Sequence, residues 1–176
     1  MSNRPPPDEP MGPTERPKAL LCIDPAYAGK TGLAYFQRGI GDYTLSHYGF
    51  LLPHEARSDA RYVWLRRIKK AGGTLVIEDA HFQKNVLTLK RMVEAKCWWT
   101  VAAMDAGFSP EQIIEVQPQQ WQSAVQRGWK FGKKSAKDIG VIQQYVKHRW
   151  GVDEPQPDAL SAICLGTWAI DMKGAL

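Results

Sequence analysis

Short apolar runs alternate along the chain with polar, glycine-rich or charged stretches, and the lengths of the runs separate strands from helices. From Ala19 the run Ala-Leu-Leu-Cys-Ile is too uniformly apolar for a half-exposed strand and too short for a helix, so it predicts a strand buried on both faces that ends at Asp24. Leu33 to Gln37 and Tyr43 to Leu51 predict two more strands, joined through turns at Gly29 to Gly32 and Arg38 to Asp42, which makes a three-stranded meander. Leu75-Val76-Ile77, ending at Glu78, and Ile113-Ile114-Glu115-Val116 predict a fourth and a fifth strand. Helical spacing fills the intervals. Glu55 to Ala71 sets Val63, Trp64 and Ile68 against five basic residues and stops at Gly72-Gly73. Asn85 to Ala106 predicts a long helix with Val86, Leu89, Val93, Cys97, Val101 and Met104 turned inward. Pro118 opens a short helix around Trp121 to Val125, a helix follows from Ser135 to Arg149, and Pro157 opens a last one carrying Leu160, Ile163, Cys164, Thr167 and Trp168 inward. The order βββαβαβααα calls for a mixed sheet flanked by helices.

A chain of 176 residues has room for one domain. Residues 1–17 hold six of the twelve prolines and almost nothing apolar, which predicts a disordered tail before a single domain over 18–176. No run approaches the roughly 20 apolar residues of a membrane span, and the N-terminus carries no apolar signal core, so a cytoplasmic protein without membrane contact is expected. Cys22, Cys97 and Cys164 sit far apart inside apolar runs, as reduced core thiols do. The net charge of +5 favours an anionic partner, nucleic acid ahead of an anionic membrane. The tail is nearly neutral, so the surplus belongs to the domain.

Two of the buried strands end in a carboxylate, Asp24 and Glu78. If those strands are parallel neighbours, the two acids meet at the carboxyl edge of the sheet, where α/β proteins place their sites. Two anions so close raise each other's pKa unless a cation lies between them. An oxygen-only pair suits Mg²⁺, which takes one or two carboxylates together with water and phosphate oxygens, so metal-dependent phosphoryl chemistry is the natural candidate. Strand-ending Asp and Glu are also ordinary turn residues. A third acid, Asp158, follows Pro157 in the first turn of the last helix, where the helix dipole favours it with or without chemistry.

Taken together, Ile23-Asp24-Pro25 with Thr31-Gly32, the strand Val76-Ile77-Glu78 with Lys84-Asn85 behind it, and Pro157-Asp158-Ala159-Leu160-Ser161-Ala162 resemble RuvC-type Holliday junction resolvases. The resemblance covers about Leu20 to Ala169 and lies in the ordered set of three motifs, none of which is specific alone. The short length, the Pro-rich tail and the loose matches point to a divergent member, of the kind phages encode and use in the host cytoplasm. The resemblance implies an RNase H-like fold, a five-stranded mixed sheet in which a three-strand antiparallel meander adjoins two parallel strands. It implies that Asp24, Glu78 and Asp158 are catalytic and bind two Mg²⁺ (or Mn²⁺) ions, Asp24 bridging them, one ion orienting water and the other stabilising the leaving 3′ oxygen. The family's fourth ligand falls three residues before the helix aspartate. Here that position is Pro155, with Glu154 as the nearest substitute and Asp153 the next.

Residues 127–149 carry seven Lys and Arg against the single acid Asp138. Trp129-Lys130-Phe131-Gly132-Lys133-Lys134-Ser135, followed by Lys137, reads as a phosphate-tracking loop leading into a capping-box-like start at Ser135. Arg61, Arg66, Arg67, Lys69 and Lys70 read as a solvated basic face. In the family an aromatic three residues after the glutamate wedges into the junction, a position held here by His81 with Phe82 beside it, and Lys84 and Asn85 follow on the DNA side. Trp98 and Trp99 point about 100° apart on a helix, so one of them calls for a partner surface. In the resemblance that helix forms a homodimer, which presents two acid clusters to a four-way DNA junction. The competing readings are a nuclease of this fold acting on forks, flaps or RNA–DNA hybrids, and a catalytically silent junction-binding protein. An actin- or sugar-kinase-like ATPase domain is weaker, since it would need a second domain.

Overall fold

The computed structural model describes residues 18–80, 85–128, 138–154 and 156–172. One five-stranded sheet runs in the order β3-β2-β1-β4-β5, built from β1 (Ala19–Asp24), β2 (Thr31–Arg38), β3 (Tyr43–Leu51), β4 (Thr74–Glu78) and β5 (Ile113–Val116). β1, β2 and β3 pair antiparallel, and β4 joins β1 and β5 in parallel. The meander is the one the apolar runs predict, and the parallel strands beside it are those the resemblance implies. Helices cover both faces: α1 (Pro53–Arg57), α2 (Ala60–Lys70) and α3 (Val86–Asp105) on one, α4 (Pro118–Gly128), α5 (Ile139–Trp150) and α6 (Pro157–Met172) on the other.

β1 is buried on both sides because its residues alternate between two cores. Leu20 and Cys22 pack with Trp121, Ile142, Leu160, Ile163 and Trp168 beneath α4, α5 and α6. Leu21 and Ile23 pack with Leu65, Ile68, Trp99 and Ala102 beneath α2 and α3. β4 divides in the same way, Val76 to the first core and Leu75 and Ile77 to the second. The period of two decides what the strand ends present, since Asp24 and Glu78 continue the Cys22 and Val76 positions toward α6.

Several expectations change. The single helix over 55–71 is two helices, because Ser58 is extended (φ −95°, ψ −173°) and its hydroxyl donates to Glu55 O at 2.9 Å, closing α1. Val63 is 67% exposed, and Leu65 takes its place in the core beside the expected Ile68. The helix expected from Ser135 has its cap at Asp138, whose carboxylate accepts from Gly140 N at 2.9 Å, so Asp138 is the cap and not the capping-box partner. The largest change is on α3. Its buried residues are Ala95, Trp99, Ala102 and Ala103, whereas Val86, Val93, Val101, Met104 and Cys97 of the expected inward stripe are exposed. Cys97 is therefore not a core thiol, unlike Cys22 and Cys164. Alanines let α3 lie close to the layer beneath, and the larger side chains go outward. Trp98 is covered within the chain, stacked on Tyr27 at 5.4 Å between ring centroids.

Candidate active site

The β1–β4 register pairs Cys22 with Val76 and Ile23 with Ile77, so the next step brings Asp24 beside Glu78. Asp158 arrives from α6, and a glycine makes the approach possible. Gly32 pairs with Asp24 across β1 and β2, and a Cβ on it would lie 1.9 Å from the Asp158 carbonyl oxygen. Only glycine leaves that space. Thr31, fully buried, anchors the β1–β2 connection by accepting Ala26 N–H at 3.2 Å. The Thr31-Gly32 pair thus sets where the last helix meets the strand ends.

The three carboxylates interact as like charges. Burial, and then the charges of Glu78 and Asp158, hold the Asp24 carboxyl well above its ordinary range, against a hydrogen bond from Ser161. Burial pushes Glu78 up to about 7, opposed by a hydrogen bond from Trp121. Asp158 is raised by burial, opposed by its own backbone N–H and by the Lys30 charge. All the donors of this cluster are hard oxygens, the set that fits a divalent ion sharing its shell with water and phosphate. Among the described residues no group of three or more His, Cys, Asp or Glu side chains is arranged so that it could hold a metal ion as the chain stands.

Several neighbours that the sequence reading passed over hold these acids in place. Trp121, 2% exposed in α4, donates its indole N–H to Glu78 Oε2 at 2.8 Å. The available signal was that a buried indole N–H needs an acceptor. Lys30 donates to Gln156 Oε1 at 2.9 Å and sits 4.0 Å above the Phe50 ring, bringing a positive charge toward Asp158. Lys96 of α3 bridges Asp79 at 2.7 Å and Glu115 at 2.8 Å, tying the residue after Glu78 to β5. On the far side of Glu78 a cleft of about 510 Å³ opens between α4, α5 and α6, lined in part by Gln119, Gln122, Ile139 and Ser161.

The substitutes for the fourth acid both have partners nearby. Glu154 Oε1 accepts Gln156 N–H at 2.8 Å, and Asp153 pairs with Lys147 at 2.8 Å. Asn85 caps α3, its Oδ1 accepting from Leu87 N at 2.9 Å and Thr88 N at 3.3 Å. Of the basic residues around α5, Lys147 is paired in this way and Arg149 binds Asp171 at 3.0 Å. The proposed tail, His81, Phe82, Lys84, Lys130, Lys133, Lys134, Lys137 and Pro155 lie outside the described residues.

No family model matches the sequence, and no curated protein matches it. Solved structures do match. T. thermophilus RuvC in complex with a Holliday junction substrate aligns with 89% of this chain and 98% of its own, at a TM-score of 0.60 and 16% identity. A second Thermus thermophilus RuvC structure aligns with 89% of this chain and 97% of its own, at a TM-score of 0.58 and 19% identity. The likeness shows the fold, which is RNase H-like in the form that RuvC takes.

Proposed function

We propose that this chain is a divalent-metal-dependent endonuclease that resolves four-way DNA junctions by paired nicks. The observation that carries the reading is the convergence of Asp24, Glu78 and Asp158 at the carboxyl edge of the sheet, each raised in pKa by burial and Asp24 also by its neighbours' charge. The fold likeness to a RuvC bound to a Holliday junction supports the choice of substrate.

In this reading the three acids hold Mg²⁺ or Mn²⁺, two ions per site, with Glu154 as a candidate additional ligand. The metal would supply an activated water and charge stabilisation at the scissile phosphate. The chain's own residues do the positioning. Trp121 and Ser161 fix the rotamers of Glu78 and Asp24, and Gly32 sets the depth of Asp158. His81 or Phe82 would open the junction, with Lys84, Asn85, Lys130, Lys133, Lys134 and Lys137 on the DNA backbone. One acid cluster per chain makes paired nicks a task for two copies. The exposed apolar stripe of α3, with Val86 76%, Val101 56% and Met104 48% exposed, is the face a second copy would cover.

One observation favours a silent junction-binding protein. Pro155 occupies the fourth-ligand position, while Glu154 accepts Gln156 N–H within the loop and Asp153 is paired with Lys147 of α5. A single assay separates the readings: wild type with Mg²⁺ or Mn²⁺ on a mobile four-way junction, a fork, a linear duplex and an RNA–DNA hybrid. Symmetric nicks confined to the junction are expected. Binding without nicks would establish the silent binder, and equal cutting of the linear duplex would overturn junction selectivity.

A further inference from the structure

Beside the acid site, on its α3 side, an aromatic pair carries two arginines. Tyr27 lies three residues beyond Asp24, and its ring stacks on Trp98 of α3 with an interplanar angle of 27°. The Arg57 guanidinium, from the last turn of α1, lies 5.0 Å from the Tyr27 ring centre and 4.7 Å from that of Trp98, and its Nη2 donates to the Tyr27 carbonyl oxygen. Arg91 of α3 lies 5.4 Å from the same Tyr27 ring. The next residue, Met92, lines a recess together with Asp24, Pro25 and Glu78, so the cluster adjoins the acids.

From this arrangement we infer that Arg57 and Arg91 form a phosphate clamp for the DNA strand entering the acid site. The inference rests on the nuclease reading above and adds a contact that neither the motifs nor the basic stretch around α5 contains.

Three observations favour a phosphodiester. Among the described residues neither guanidinium is ion-paired with a carboxylate, whereas Lys96, Lys147 and Arg149 all are. Two cations within 5.4 Å of one ring centre repel each other, which leaves an anion as the group that relieves them. Arg57 uses one Nη2 hydrogen on the Tyr27 carbonyl oxygen, and the other N–H groups of these planar guanidiniums match phosphate oxygens. A base is the poorer occupant, because the Tyr27 and Trp98 faces are already used by each other and by arginine. Position agrees as well. Arg91 and Trp98 are seven residues apart and share one side of α3, about 100° around from the exposed Val93, Cys97 and Val101. A second copy covering that stripe leaves the clamp open to DNA.

The test is binding of a four-way junction and a linear duplex, with Ca²⁺ in place of Mg²⁺, across a salt series. Arg57→Gln and Arg91→Gln are each expected to weaken junction binding about three- to tenfold at about 0.1 M salt. Each should also take about one unit off the slope of log K against log salt. Arg57→Lys and Arg91→Lys keep the charge and should keep the slope while losing part of the affinity, which a merely structural role of the stack would not produce. Wild-type slopes in both Gln variants overturn the clamp alone. If a Gln variant fails to fold, its Lys partner decides, and a Lys variant that loses the slope at wild-type melting temperature overturns the clamp. Wild type that binds neither DNA at any salt overturns the nuclease reading beneath it.

Discussion

The Trp121 indole N–H donates to Glu78 Oε2 at 2.8 Å across 43 residues of sequence, joining α4 to the end of β4. The bond favours the charged carboxylate and fixes one of its oxygens. Trp121→Phe keeps most of the buried ring and removes the donor. A hydrogen bond to a charged group is worth about 1.5 to 3 kcal/mol. The Mg²⁺ concentration for half-maximal cutting should therefore rise about tenfold, with the acid limb of the rate profile moved to higher pH. A metal titration of nicking, with thermal melting as control, reads both, and unchanged metal dependence would separate Trp121 from Glu78.

The raised acids also set a pH dependence for the metal-free protein. Glu78 moves from an ordinary 4.5 up to about 7 and Asp24 moves the same way, so between those pH values the folded state binds more protons than the unfolded one. Their contribution is fully present below the ordinary carboxylate range and is lost as pH rises through about 7. With chelator present the stability should fall from pH 5 to pH 8 by on the order of 3 kcal/mol from Glu78, and the melting temperature with it. Glu78→Gln should flatten the decline, and Mg²⁺ should restore stability at pH 8. A melting temperature that rises over this range contradicts the electrostatics of the site.

Gly32→Ala puts a Cβ 1.9 Å from Asp158 O and 2.4 Å from its carbonyl carbon, so α6 must retreat from the strand ends. The expected cost is about 1 to 3 kcal/mol or more, a loss of roughly 2 to 12 °C in melting temperature, with cutting lost further than stability alone explains. Gly29→Ala is the control, since its nearest neighbour is the Ala26 Cβ at 3.6 Å. Calorimetry and nicking rates on the two variants check the contrast.

Val101→Glu, on the exposed stripe of α3, should leave the melting temperature of the monomer unchanged and convert a dimer to a monomer in sedimentation. Trp99→Ala, in the buried face of the same helix, should cost about 3 to 5 kcal/mol. A Val101→Glu protein with wild-type oligomeric state would remove this face from the assembly.

The strands were legible because each apolar run is short and ends in a charge or a turn, and the period of two carries Asp24 and Glu78 to the same face. The orientation of α3 was not. Val86, Val93, Cys97, Val101 and Met104 repeat at helical spacing, but so do Ala95, Trp99, Ala102 and Ala103, and spacing alone does not choose between two apolar stripes. Close packing chose the alanines. The break at Ser58 rests on its backbone N–H and its hydroxyl both bonding back to Glu55 O, a competition between local bonds that leaves little mark on periodicity. Asp24, Glu78 and Asp158 could be picked out because they end or begin elements. Trp121, Ser161 and Lys30 act from positions set only by tertiary packing, and the Tyr27–Trp98 stack needs three elements to come together.

Whether Asp24, Glu78 and Asp158 form one metal-dependent cutting site is decided by single-turnover nicking of a four-way junction by Asp158→Asn beside wild type. Junction binding in Ca²⁺ is expected within a fewfold of wild type, and cutting in Mg²⁺ reduced at least about 100-fold, a loss of about 2.7 kcal/mol or more in transition-state stabilisation. Mg²⁺-dependent cutting by Asp158→Asn at the wild-type rate would contradict that assignment.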